Sequence, residues 1–303
     1  MTKEQFTEQL TERMQELLSS EGYEVSHDVF MKNNDVSRYG IVIQKQGELI
    51  SPTIYIENYY DDYIHMKLTM DEITNQLLSI LHNIREHAEQ YDSLAMDFES
   101  CQDKIIYRLI STKKNQKILR GIPHIPFLNM SITFAVVCNL SSDGLESLRI
   151  SNELLEKWDV SVKQLYQLAK ENTPRIFPVR IDSLEKIIFS YLGMEREALP
   201  ISEDQLGKKE TPLLLITNES GINGASVLLY EDLIQELAEK YKSNLYILPS
   251  SVHEIIVIPG DDIKMLPGLA TMVADINKKH VSREEVLADT AFYYDWKEKK
   301  FIY

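Results

Sequence analysis

The run Leu213-Leu214-Leu215-Ile216-Thr217 is followed by a polar turn, Asn218 to Gly224, and then by Ala225-Ser226-Val227-Leu228-Leu229. Both apolar runs have the length and composition of strands, and Asn223-Gly224 between them is a hairpin signal because both residue types tolerate positive φ. The period then changes. Across Tyr230–Lys242 the apolar residues Leu233, Ile234, Leu237 and Tyr241 recur at helical spacing. Asn244–Leu248 and Ile255–Ile258 read as two further strands around the polar connection Pro249-Ser250-Ser251-Val252-His253-Glu254. Leu266–Lys279 reads as a helix, Ser282–Leu287 as the capped turn of another, and Ala291–Asp295 with Lys300–Tyr303 as a terminal pair. The order strand–strand–helix–strand–strand–helix, with short links, predicts an α+β fold: mainly antiparallel mixed sheets with helices packed on one face.

Working toward the N-terminus, Asp182–Leu192 reads as a helix and Glu195–Pro212, the most polar long stretch, as a loop. Ser151–Trp158 and Ser161–Asn172 read as helices, the second opened by a Ser161/Gln164 capping box and closed by Thr173-Pro174, with Arg175–Ile181 extended after it. Lys104–Ile110 and Asn129–Leu140 read as strands, Thr112–Arg120 as a short basic helix, Ser141–Gly144 as a turn, and Ile122–Pro126 as extended because each residue before a proline avoids the helical region. The first hundred residues read helix–strand–strand–strand–helix. Thr2–Ser20 carries a Thr2/Gln5 capping box and an apolar stripe at Phe6, Leu10, Met14, Leu17 and Leu18; Glu24–Lys32, Tyr39–Lys45 and Thr53–Ile56 are the strands; Thr69 and Glu72 open a helix with its stripe at Ile73, Leu77, Leu81, Ile84, Ala88 and Tyr91. Two domains are expected: residues 1–100, small and N-terminal, and residues 101–303, a larger α+β C-terminal domain.

Composition bounds what such a chain does. Of 303 residues 44% are apolar and 26% charged, which excludes bulk disorder. Lys plus Arg is 32 and Asp plus Glu 47, so 32 − 47 gives −15; nucleic-acid backbone binding rests on cations, and none is expected. The acids alternate with lysines rather than forming rows, which leaves an acidic decoy imitating DNA as a low-ranked reading. Two cysteines, Cys101 and Cys138, make neither a disulfide framework nor a zinc pattern. The N-terminus opens an amphipathic helix rather than a signal peptide, and no apolar run approaches the ~20 residues that span a bilayer. A cytoplasmic protein without a membrane partner is the expectation.

Chemistry-bearing residues gather in a few places. Ser250, Ser251, His253 and Glu254 lie within one strand connection, where a Ser–His–acid relay would need a hydroxyl within ~3 Å of the imidazole. A polar binding segment, with Asn218 and Asn223 beside it, is the competing reading. His124, between two prolines, would raise the prospect of catalysis or a metal if it met His253, but no H-x-x-x-H or H-x-H spacing exists. Glu57-Asn58-Tyr59-Tyr60-Asp61-Asp62-Tyr63 follows a strand, yet lacks the E-x-K pair of a metal nuclease, and reads as a surface patch or a loop over the sheet edge, with Tyr59 and Tyr60 as contact residues. Gly221-Ile222-Asn223-Gly224 lacks the Lys-Ser/Thr of a phosphate loop and reads as a turn. No cofactor and no metal is implied.

Thr217-Asn218, Ile222-Asn223-Gly224-Ala225 through Leu228-Leu229-Tyr230, and Tyr246 through Glu254 resemble an uncharacterised bacterial family, domain-of-unknown-function family 5688. So do Pro123 through Leu128, Asn152-Glu153-Leu154-Leu155 with Trp158, Glu171-Asn172-Thr173-Pro174 and Tyr293-Tyr294-Asp295. The likeness covers nearly the whole chain; the general order also looks like a looser group, family 1444. The resemblance implies a bacterial host and brings no activity, cofactor or catalytic residue. The leading expectation is a non-enzymatic binding or protein-interaction module for a protein or peptide. The alternative is a hydrolase or transferase using His253 with Ser250 or Ser251.

Overall fold

A computed structural model describes residues 1–45, 52–86, 97–141, 144–183 and 212–302. The chain divides into two compact units, Met1–Ser100 and Cys101–Tyr303.

In the first unit, helix α1 (Lys3–Leu18) starts at the Thr2/Gln5 capping box, with both reciprocal hydrogen bonds made. Strands β1 (Tyr23–Met31), β2 (Ser37–Lys45) and β3 (Thr53–Tyr55) form an antiparallel sheet in the order β1-β2-β3. Phe6, Leu10 and Met14 of α1 meet Ile41 and Ile43 of the sheet and Ile73 and Leu77 of α3 (Met70–Glu86) in one core. On β1 only Tyr23 and Val25 are buried, and they join Ile41 and Ile43 in the core, while Glu24, Ser26 and Asp28 on the opposite face are exposed, so here the helices lie on one face of their sheet. Ala88 and Tyr91, expected to continue the α3 stripe, lie outside the described residues.

The acidic–aromatic cluster is a helix rather than a loop. Glu57–Ile64 is a helix, α2, because the Ile56 carbonyl accepts from the Tyr60 N–H and the Glu57 carboxylate accepts from the Tyr39 N–H at 2.8 Å, which pins the first turn to β2. Tyr60 and Tyr63 then turn their rings onto Phe6, with centroids 5.5 and 5.2 Å away, and Tyr59 packs on the same core. Aromatic rings spaced one turn apart bury more area against a core than along a loop.

The second unit has two sheets. In one, β6 (Met130–Ser141) has β4 (Ile105–Ser111) on one side; β5 (His124–Phe127) and β7 (Gly144–Arg149) pair with its other side. Strand β7 is an addition to the expected elements; Ser141 of β6 pairs with its Gly144, and residues 142 and 143 of the expected turn lie outside the described residues. A single turn, α4 (Phe98–Cys101), precedes β4, and α5 (Asn152–Trp158) and α6 (Val162–Ile176) follow β7. Thr173-Pro174 does not end α6: the proline sits in its last turn, and the Thr173 hydroxyl donates to the Ala169 carbonyl. Two single 3₁₀ turns, Lys113–Asn115 and Ile118–Arg120, stand where one basic helix was expected.

The other sheet is antiparallel throughout, in the order β13-β12-β10-β11-β9-β8, from β8 (Val179–Ser183), β9 (Leu214–Asn218), β10 (Leu245–Leu248), β11 (Ile255–Pro259), β12 (Phe292–Asp295) and β13 (Lys300–Ile302). Four successive buried residues in β10 mean that both faces of this sheet are covered at its centre. Helix α8 (Leu266–His280) covers the face of Tyr246, Leu248 and Tyr293 through Leu266, Leu269, Ala270 and Val273.

Ala225–Leu229 is not a strand. Ile216 of β9 already pairs with Ile255 on one side and Ile181 on the other, so no edge is left for a hairpin partner, and Gly224–Leu229 winds as a 3₁₀ helix before α7 (Leu233–Tyr241). The strand that takes the edge is β8, which runs through Asp182 and Ser183 where a helix was expected to begin; residues 184–211, with the rest of that helix and nearly all of the expected loop, lie outside the described residues.

Candidate functional site

Three connections meet at one end of the six-stranded sheet: Asn218–Asn223 after β9, Pro249–Glu254 between β10 and β11, and the Ser282–Ala288 segment after α8. Gly224 makes the meeting possible. A Cβ there would stand 2.0 Å from Thr217 Oγ1 and 2.3 Å from the His253 carbonyl oxygen, so only glycine lets the backbone come this close. The Thr217 hydroxyl donates to the His253 carbonyl at 2.7 Å, and the Ala225 N–H donates to the Val252 carbonyl at 3.1 Å.

Asn218 is buried. Its amide donates to the Ile222 carbonyl at 2.9 Å, and its side-chain oxygen accepts from the Ser220 hydroxyl at 2.8 Å, which closes the turn on itself. The half-exposed Asn223, at φ 51°, presents its main-chain N–H to His253 Nδ1 at 3.3 Å. His253 therefore accepts at Nδ1, which places the proton of the neutral ring on Nε2. That nitrogen faces Glu285 Oε1 at 3.7 Å, and the two side chains are 33% and 47% exposed. The third connection is laced on by main-chain bonds: Val252 N–H to the Glu285 carbonyl at 2.8 Å, Leu287 N–H to the Ser250 carbonyl at 2.9 Å, and Ala288 N–H to the Pro249 carbonyl at 3.0 Å.

The serines do not meet the imidazole as a relay. Ser251 is buried, and its hydroxyl accepts from the His253 main-chain N–H at 3.0 Å. The ring nitrogen that would take a serine proton is already occupied by Asn223. Ser251 Oγ and His253 Nδ1 thus each accept from a main-chain N–H. Ser250 and Glu254 are half-buried at the same rim.

His124 belongs elsewhere. It lies on β5 in the four-stranded sheet, and its Nδ1 pairs with the Ile122 carbonyl at 3.1 Å. Among the described residues no group of three or more His, Cys, Asp or Glu side chains could hold a metal ion. Burial pushes the Cys138 thiol up, away from a reactive thiolate. Glu285 escaped the sequence reading. Its segment was expected to start a helix, whereas Ser251 pairs with Val286 as an isolated antiparallel bridge, a long-range contact with no local signature.

The fold and this loop cluster define an α+β protein with polar connections gathered at a sheet end. The chain belongs to the family of unknown function DUF5688, which matches residues 3–296. No curated protein and no solved structure shows significant similarity to it. No helix of the described residues is long and apolar enough to cross a membrane.

Proposed function

We propose that this protein is a non-enzymatic binding module, and that the rim formed by Asn223, Ser250, His253, Glu254 and Glu285 contacts a protein or peptide partner. The observation that carries the reading is the engagement of Ser251 Oγ and His253 Nδ1 by main-chain N–H groups, 3.0 and 3.3 Å away. Accepting from main-chain N–H groups, these two atoms tie the loops together. A surface whose loops are already tied together loses less freedom when a partner docks, and this favours recognition. His253 and Glu285, both part-exposed, give the rim a donor and an acceptor for polar partner groups.

The test is selection of binders from a displayed random-peptide library on the full chain, followed by the double variant His253→Ala/Glu285→Gln. The expected result is a consensus peptide whose affinity falls at least about tenfold in the variant, as for loss of a charged hydrogen bond. Peptides that bind wild type and variant alike, or labelling of Ser250 or Ser251 by a fluorophosphonate probe, would overturn the reading.

A further inference from the structure

The four-stranded sheet carries a second polar constellation. Directly opposed residues on antiparallel strands present their side chains to the same face, and the register sets Arg108 beside Thr133, and Thr133 beside His124, in one row. In the next row along β6, Ala135 stands between Ile106 and Arg149, and one row further Val137 opposes Ser147. Strands are about 4.8 Å apart and same-face rows about 6.8 Å. Two arginines and a histidine therefore share an area that one small ligand can span. The Arg108 guanidinium reaches across β6, where its Nη2 donates to Ser147 Oγ at 2.5 Å.

Arg108 forms no ion pair with any described residue, and its buried Nε–H has no acceptor among them. Burial, and after it the charge on Arg149, pulls the Arg108 guanidinium down to about 10. The protein carries 47 acidic residues, yet the cation in this place faces another cation. Shielded arginines are ordinarily matched by acceptors, because an uncompensated charge away from water is costly.

We infer that Arg108, Arg149 and His124, with the hydroxyls of Thr133 and Ser147, form a binding site for a small oxyanion, the phosphate or carboxylate group of a ligand. An oxyanion between the guanidiniums relieves their repulsion and supplies acceptors in the planar geometry that arginine matches. His124 contributes Nε2, since its Nδ1 is held by the Ile122 carbonyl. Thr133, 5% exposed, forms the floor of the row between Arg108 and His124.

Isothermal titration of the full chain with sodium phosphate and, separately, with sodium acetate, both at constant ionic strength in chloride, tests this. Saturable binding of at least one anion is expected, and the stronger of the two identifies the ligand group. Arg149→Gln and His124→Ala alter exposed side chains and should keep the fold while weakening binding about tenfold or more. Arg108→Gln should abolish it. If circular dichroism shows Arg108→Gln to be unfolded, the two exposed variants decide. No saturable binding of either anion, or binding unchanged in both Arg149→Gln and His124→Ala, overturns the site.

Discussion

The main-chain N–H of Asn223 donates to Nδ1 of His253 across 3.3 Å, joining residues thirty positions apart. One bond thus fixes both the tautomer of the ring and the path of the loop after β9. It depends on the close backbone approach at Gly224, where the chain passes against Thr217 and the His253 carbonyl.

Gly224→Ala should be among the most damaging single substitutions. The new methyl would fall 2.0 Å from Thr217 Oγ1 and 2.3 Å from a main-chain oxygen, and neither is a flexible side-chain tip that swings away freely. A loss of about 3 kcal/mol, the upper end for overpacking, is expected in urea denaturation. Gly221→Ala, where a Cβ meets nothing but φ is +69°, should cost only about 1 kcal/mol.

Ser161→Ala should destabilise the second unit by about 1 kcal/mol. The Ser161 hydroxyl accepts from the Gln164 N–H at 3.3 Å, and the Gln164 side chain accepts from the Ser161 N–H at 2.8 Å. Removing the cap leaves the first turn of α6 short of an acceptor. Ser161→Asp should retain most of the stability, because its carboxylate both caps and complements the helix dipole.

Acid should weaken the contact between Asp289 and its neighbours. Burial pushes the Asp289 carboxyl up, but hydrogen bonds from Lys114, at 2.8 Å, and from Asn277, at 2.9 Å, together with the lysine charge, bring it net below its usual value. A carboxyl depressed on folding stabilises above its unfolded pKa, about 3.9, and loses that contribution as pH falls through the lower folded value. Asp289→Asn should therefore reduce the acid-side slope of stability against pH below about pH 4 while leaving the slope above pH 6 unchanged. Denaturation midpoints across that range check it.

Local signals were legible and long-range ones were not. The capping boxes at Thr2/Gln5 and Ser161/Gln164 could be read because their chemistry is complete within four residues. Leu233, Ile234 and Leu237 announced α7 because one face of a helix repeats at short range. Ala225–Leu229 misled, since its composition suits a strand, while the free edge a strand needs had been taken by β8, whose pairing with β9 spans a long stretch of chain. At the candidate site Asn223 and His253 were visible as polar residues in turns. Glu285 was not, because only the tertiary bridge between Ser251 and Val286 brings its segment to the rim. The helix after β3 was not legible either: helical spacing sets the half-buried rings of Tyr60 and Tyr63 against Phe6, a contact between distant segments.

The state of the His253 ring tests the central claim most directly. Nitrogen-15 NMR of the full chain at pH 8 should show the Nε2–H tautomer, with Nδ1 unprotonated and coupled through a hydrogen bond to the Asn223 amide. An Nδ1–H tautomer, or a ring nitrogen hydrogen-bonded to a serine hydroxyl, would contradict the account and restore a proton relay at this rim.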